Sequence, residues 1–325
     1  MEGVPIPETR GVLVGRGMKT VSVIIPCYRD SATLARAIDS VLAQTYPAIE
    51  VVVVNDCSPE TSAVESILAR YPQVKYVRNS ENLGLAGSRN AGIQEAKGEF
   101  VALLDADDEY LPGKIAAQMA AIEPGMAVTC GVLHVFADGR RQPSSFVSRG
   151  ERLFDNPSLI QYRNTLNGAG LLIERGLLLS LGAFDASLRS CEDLDLWLRL
   201  LSAGIKVKDI GRPFYLYYAN PAGLSKNFRN ISKWEIEVIR RYAARKGESW
   251  MRSQEFASVA TAWLLRQLLR CELERDGTLY EQVMANMGLL NGFPLRVSWL
   301  RLLARTRLMH LPAKLLRVAG GLRNT

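Results

Sequence analysis

The sequence predicts an α/β fold built on a parallel sheet and followed by an all-helical region. Three observations predict it. Short β-branched runs alternate with helical patterns through the first hundred residues, three of those runs end in polar clusters, and strand signals vanish after residue 230. With 325 residues, 48% of them hydrophobic, the chain has material for one large domain, or for a domain with an appendage.

Residues 1–18 are punctuated by Gly and Pro without periodicity and read as an irregular leader. Val21 to Ile25 form a buried strand that Pro26 stops. A helix starts at Ser31 or Thr33, because Leu34, Ile38, Val41 and Leu42 recur at helical spacing behind candidate Ser and Thr caps, and Pro47 closes the unit. Glu50 to Val54 is a nearly continuous β-branched run, the pattern of a parallel strand covered on both faces. A helix over 62–69, a short strand over 74–77 and a helix over 86–96 follow. Phe100 to Leu104 is a fourth strand that runs straight into Asp105. After Pro112 the pattern loosens, with apolar runs at 127–135 and 168–173 and a helix over 193–203. Beyond Ser232 the spans 234–246, 253–271 and 295–308 all read as helices. The expected organisation is a leader over 1–18, a sheet-bearing domain over 19–229 and a helical region over 230–325.

The bulk features narrow the setting. Cys27, Cys57, Cys130, Cys191 and Cys271 form an odd set without metal-site spacing, which argues against a disulfide framework or a zinc site and for a reducing, cytoplasmic location. The first apolar run, Val12 to Val14, is too short for a signal segment, and no stretch has the length of a membrane-spanning helix. The net charge of +7 is localised: residues 282–325 hold no Asp or Glu but seven Lys and Arg, and removing those seven leaves 33 basic against 33 acidic residues. A basic tail over 291–325 on a neutral body suggests an anionic partner for the tail alone, such as membrane headgroups on the inner face. Leu295, Trp299, Leu302 and Leu303 share one side of its helix, so packing on the domain is an equal expectation. Nucleic acid is not expected, because no platform of interleaved aromatic and basic residues is present.

Ligands of parallel sheets bind beyond the carboxyl ends of the strands. Three polar clusters fall there: Pro26-Cys27-Tyr28, Asn55-Asp56 and Asp105-Ala106-Asp107-Asp108. Each is also turn chemistry, and for Asp56 alone the turn reading is as good. The third differs, because three carboxylates within four residues repel unless a cation or solvent offsets them. Mg²⁺ or Mn²⁺ takes hard oxygen ligands from one or two carboxylates and substrate phosphates. The glycine-rich stretch 84–92 has Ile93 where a phosphate-loop lysine would follow, and no G-x-G-x-x-G opens the first helix, so neither an ATPase nor a dinucleotide site is predicted. Glu192-Asp193-Leu194-Asp195 opens a helix, where acids are also favoured by the helix dipole alone.

These segments, together with Asn82 to Gly92 and Gly182 to Asp185, resemble the glycosyltransferase family 2 enzymes of the GT-A fold over residues 20–226. The resemblance implies a Rossmann-like, mostly parallel twisted sheet flanked by helices. It implies an inverting transfer of a sugar from a nucleotide-diphosphate sugar, a UDP-sugar by preference, to a hydroxyl of a glycan or lipid-linked acceptor, as in polysaccharide biosynthesis. In that pattern Pro26, Tyr28, Asp56, Arg89, Asp105 and Ala106 bind the nucleotide sugar. Asp107 of the DxD motif holds Mn²⁺ or Mg²⁺, with Asp105 reaching it through water. Asp193, beside Glu192, is the general base. Many relatives carry a His where this chain has Asn220, which makes Asn220 a weaker candidate ligand and leaves open a nucleotide-sugar-binding, membrane-attached assembly protein with little turnover. A nucleotidyltransferase is disfavoured, because its basic glycine-rich loop is missing after Ile25.

Overall fold

The computed structural model describes residues 18–144, 150–220, 223, 227–274, 277–291, 293, 296 and 298–301. The leader expected over 1–18 lies outside them except for Met18, and so does the basic tail beyond residue 301 with the membrane contact expected of it.

The first half alternates as the sequence predicts: β1 (Val21–Cys27), α1 (Ser31–Leu42), β2 (Ile49–Asn55), α2 (Thr61–Leu68), β3 (Lys75–Arg78), α3 (Gly84–Glu95) and β4 (Phe100–Leu103). Their strands pair in parallel in the order β3-β2-β1-β4, with Val21 opposite both Ile49 and Phe100. Successive side chains of a strand point to opposite faces, and the core divides accordingly. Val23, Ile25, Val51 and Val53 pack with Leu34, Ile38 and Val64 on one face, while Ile24, Val52 and Val54 pack with Ala86 and Ile93 on the other. Gly92 lets α3 lie directly on the sheet, since a Cβ there would stand 2.4 Å from Ile24 Cγ2.

Beyond β4 come β5 (Glu109–Tyr110), α4 (Lys114–Ala121), β6 (Met126–Val135), β7 (Arg141–Pro143), β8 (Arg152–Phe154), β9 (Leu172–Glu174), α5 (Arg175–Ser180), α6 (Glu192–Ser202) and β10 (Lys206–Tyr218). Here the sheet is less uniform than expected. It continues β4-β9-β6-β10-β5, with β6 and β10 parallel but β9 antiparallel to both neighbours and β5 antiparallel at the edge. The parallel pairings are the longer ones, so the sheet is mostly parallel.

The helices α7 (Phe228–Lys246), α8 (Glu248–Met251), α9 (Gln254–Glu274) and α10 (Gly277–Asn286) follow. Ile239, Tyr242, Trp263 and Leu264 join the same apolar cluster as Trp197, Leu200 and Ile24, so these helices share the core of one sheet face. An ionic tie reinforces the contact: buried Asp195 of α6 accepts from Arg199 Nε at 2.7 Å and from Arg245 Nη2 of α7 at 2.9 Å. The described start of the tail packs on α9, with Leu300 buried and Arg296 donating to Ser258 Oγ at 3.2 Å. Among the described residues no helix is long and apolar enough to cross a membrane.

Candidate active site at the carboxyl edge of the sheet

The carboxyl ends of β1, β2 and β4 bring the three predicted clusters to one edge. Pro26 is buried near the end of β1, and Tyr28 just beyond the strand is 39% exposed, with the Arg29 guanidinium 5.3 Å from its ring centroid. Asp56 follows β2 and is 3% exposed. Its Oδ1 accepts from Asn79 Nδ2 and from Leu83 N, both at 2.8 Å, and its Oδ2 accepts from Gly84 N at 2.9 Å. Asp56 therefore anchors the loop that starts α3, which is a turn function. Each carboxylate oxygen has two lone pairs, so Oδ2 keeps acceptor capacity toward a base N–H.

The acidic loop is arranged differently from the repulsive cluster its sequence suggests, because its three carboxylates point to three different partners. Asp105 Oδ1 accepts from Arg89 Nη2 at 2.9 Å. Asp107 Oδ2 accepts from Asn220 Nδ2 at 3.1 Å, and its carbonyl accepts from Arg36 Nη2 at 2.6 Å. Asp108 is buried, accepting from the Tyr215 hydroxyl and from Tyr218 N, each at 2.8 Å. Burial, with Asp105 and Asp107 adding repulsion, pushes the Asp108 carboxyl up to about 8. Burial and Asp105 also raise Asp107, against the Asn220 hydrogen bond, and burial and Asp107 push Asp30 up to about 6. Burial is the largest cause of all three shifts, and the neighbouring carboxylates add to it.

Two of the expected residues are paired with each other. Arg89, expected beside the nucleotide, is 2% exposed and donates from Nη1 to Glu192 Oε1 at 2.6 Å as well as to Asp105. Burial works against its charge, yet the two carboxylates outweigh that cost and hold the guanidinium above its ordinary value. Glu192, expected as a second catalytic group, is buried with its carboxylate on Arg89. Ala106 is also buried.

Asp193, the next residue of α6, is half-buried with both oxygens engaged: Oδ1 accepts from Leu194 N at 2.7 Å and Oδ2 from Asn164 Nδ2 at 3.0 Å. Burial and the neighbouring Glu192 push it up to about 6, although these hydrogen bonds and Arg89 pull the other way. A carboxylate raised in this way is more basic than an exposed one, the direction that suits a proton acceptor.

Among the described residues no three His, Cys, Asp or Glu side chains converge on a point that could hold a metal ion. The donor set is narrower: half-buried Asp107, with Asp105 two residues away and the Asn220 amide against it. That set fits Mg²⁺ or Mn²⁺, which need only one or two protein carboxylates when diphosphate oxygens and water complete the shell.

Sequence reasoning missed Asp30, Asn79, Arg36, Asn164, and Tyr215 and Tyr218 of β10. Asp30 was within reach, since it closes the loop that carries Tyr28. The others meet the site from 23 or more residues away, as Asn79 meets Asp56 and Asn164 meets Asp193 at a separation of 29, and they carry no local signal.

A parallel half-sheet in the order 3-2-1-4, with acidic loops at its carboxyl edge and a carboxylate helix facing them, defines a GT-A class of fold. The model described as "Glycosyl transferase family 2" matches residues 22–172. An uncharacterized glycosyltransferase of Haemophilus influenzae is 30% identical over 233 residues, covering 70% of this chain and 78% of that protein. The chain belongs to glycosyltransferase family 2. Escherichia coli WfaP, a UDP-Glc:alpha-D-GlcNAc-diphosphoundecaprenol beta-1,3-glucosyltransferase, is 28% identical over 212 residues, 65% of this chain and 81% of WfaP. In fold the chain is similar to Staphylococcus aureus TarS 1-349 in complex with UDP-GlcNAc, with a TM-score of 0.64 at 20% identity over 89% of this chain and 88% of that one. The chain spans 58% or less of the length of the rickettsial glycosyltransferases that it matches.

Proposed function

We propose that the chain transfers a sugar from a UDP-sugar to a hydroxyl of a glycan or lipid-linked acceptor, with Asp193 as general base and inversion at the anomeric carbon. The observation that carries this reading is Asp193: a half-buried carboxylate held ready for a proton beside a nucleotide-type edge, and joined to it through Glu192, Arg89 and Asp105. The UDP-sugar donor and the lipid-linked acceptor rest on the likeness to WfaP and TarS.

In this reading Tyr28 presents its ring to the base, and Asp56 Oδ2 accepts the base N–H. The acceptor hydroxyl approaches C1 from the side opposite the diphosphate. As its oxygen bonds to C1, its proton passes to Asp193, and the bond from C1 to the diphosphate oxygen breaks with the electron pair leaving on the nucleoside diphosphate. Asp107, with Asp105 through water and the Asn220 amide, would hold Mn²⁺ or Mg²⁺, which when bound neutralises the charge of the departing diphosphate.

The purified chain is expected to release UDP from UDP-glucose or UDP-GlcNAc in the presence of Mn²⁺, and Asp107→Asn to lower that rate by about a hundredfold or more, the scale of losing one electrostatic stabiliser of a leaving group. A luminescent UDP assay with and without chelator checks this. The Asn220 contact on Asp107 favours a second reading, a nucleotide-sugar-binding protein without turnover. UDP binding with no release from either sugar nucleotide would select it.

A further inference from the structure

Residues 155–171 cross the molecule between β8 and β9, and α9 fastens them. Gln161 is buried, donating from Nε2 to Glu255 Oε1 at 2.8 Å, and its carbonyl accepts from Trp263 Nε1 at 2.6 Å. The carbonyl of Tyr162 accepts from Arg266 Nη2. On the sheet side, Thr129 Oγ1 donates to the Asn167 carbonyl at 2.9 Å, and Gly168 lies so close to α6 that a Cβ there would stand 2.4 Å from Asp193 Cβ. Between these fixed points lies Asn164. Its Oδ1 accepts from Leu166 N at 3.2 Å, which turns its Nδ2 onto Asp193 Oδ2 at 3.0 Å.

We propose that Asn164 is a positioning residue for Asp193, fixing the rotamer of its carboxylate and favouring its charged form, and that α9 sets Asn164 in place by fastening the strap that carries it. The inference rests on Asp193 being the base. It gives the C-terminal helices a part in the chemistry although they lie outside the span of the family model, residues 22–172. Among the described residues, the charged or titratable groups that act most on Asp193 are Glu192 and Cys191 at the start of α6 and Arg89 of α3. Arg89 is committed to Glu192 and Asp105, and among the described residues Asn164 is the side-chain donor on Asp193.

The test is a titration of the full chain labelled with ¹³C at the aspartate carboxyls, with Asp193 identified by its absence from Asp193→Asn. Loss of one hydrogen bond to a charged group is expected to raise its midpoint by about one pH unit in Asn164→Ala. Asn164→Asp, nearly isosteric, is expected to raise it further, because a second carboxylate opposes ionisation. Trp263→Phe, which keeps an aromatic ring but loses the donor to Gln161 and part of the buried volume, moves it the same way by less. The acid limb of UDP release from UDP-glucose should shift in parallel while UDP affinity by calorimetry stays constant. An unmoved midpoint in both Asn164 variants overturns the role of Asn164, and an unmoved midpoint in Trp263→Phe overturns the part of α9. Full UDP release by Asp193→Asn would instead overturn the base assignment itself.

Discussion

Asp193→Asn is expected to lower turnover by about a hundredfold to ten-thousandfold, the range by which a positioned general base accelerates proton transfer. The amide keeps the shape of the carboxylate but takes no proton and can accept from only one of Leu194 N and Asn164 Nδ2; α6 is also anchored by Asp195 and Trp197, so UDP affinity should stay near that of the wild type and the unfolding midpoint should fall only slightly. The pH dependence has a defined sign. Asp193 acts in its ionised form, and its carboxyl is raised to about 6, so kcat/KM is expected to be constant above that pH and to fall as pH drops through it. Steady-state rates from pH 5 to 8, taken as UDP release, check both statements, and the acid limb should vanish in Asp193→Asn. A variant with wild-type turnover, or an unchanged limb in it, would remove Asp193 from the proton transfer.

Arg89→Met should act first on stability. The guanidinium joins Glu192 and Asp105, and its loss leaves Glu192 as an uncompensated carboxylate in a nearly closed site. Removing one member of a buried ion pair typically costs about 3–5 kcal/mol; Asp105 is partly solvated, so the cost should come mainly from Glu192. Urea unfolding measures it, and Arg89→Met with Glu192→Gln should recover part of the loss, because replacing both partners removes the stranded charge. Turnover should stay low in the double variant, since the tie between the donor loop and α6 is still broken. A loss below about 1 kcal/mol, typical of an exposed pair, would show that the triad is not a structural joint.

Much of the first half was legible because its signals are local. The β-branched run Val51 to Val54 needs burial on both faces, and the parallel core supplies it. The antiparallel interruptions were not legible: β9 has three residues and β5 two, too few to show a period. At the site, residue types at strand ends made Tyr28, Asp56 and Asp107 candidates, and the family resemblance added Asp193 at the start of α6; the structure joins α6 to that edge through Glu192, Arg89 and Asp105. Mutual repulsion of the three carboxylates accounts for only part of the loop, because spacing along the chain says nothing of the partners that fold against it. Asp108 turns inward onto Tyr215, 107 positions away, and Arg89 takes Asp105 and Glu192 across 16 and 103. Asn164 was invisible for the same reason, having no motif and only a tertiary contact.

The measurement that bears most directly on the mechanism is the anomeric configuration of the first product formed from an α-linked UDP-sugar, followed by proton NMR before mutarotation. A single displacement with Asp193 as base predicts a β-configured product in the earliest spectrum. An α-configured first product would require two displacements or a front-face route, and would contradict the account.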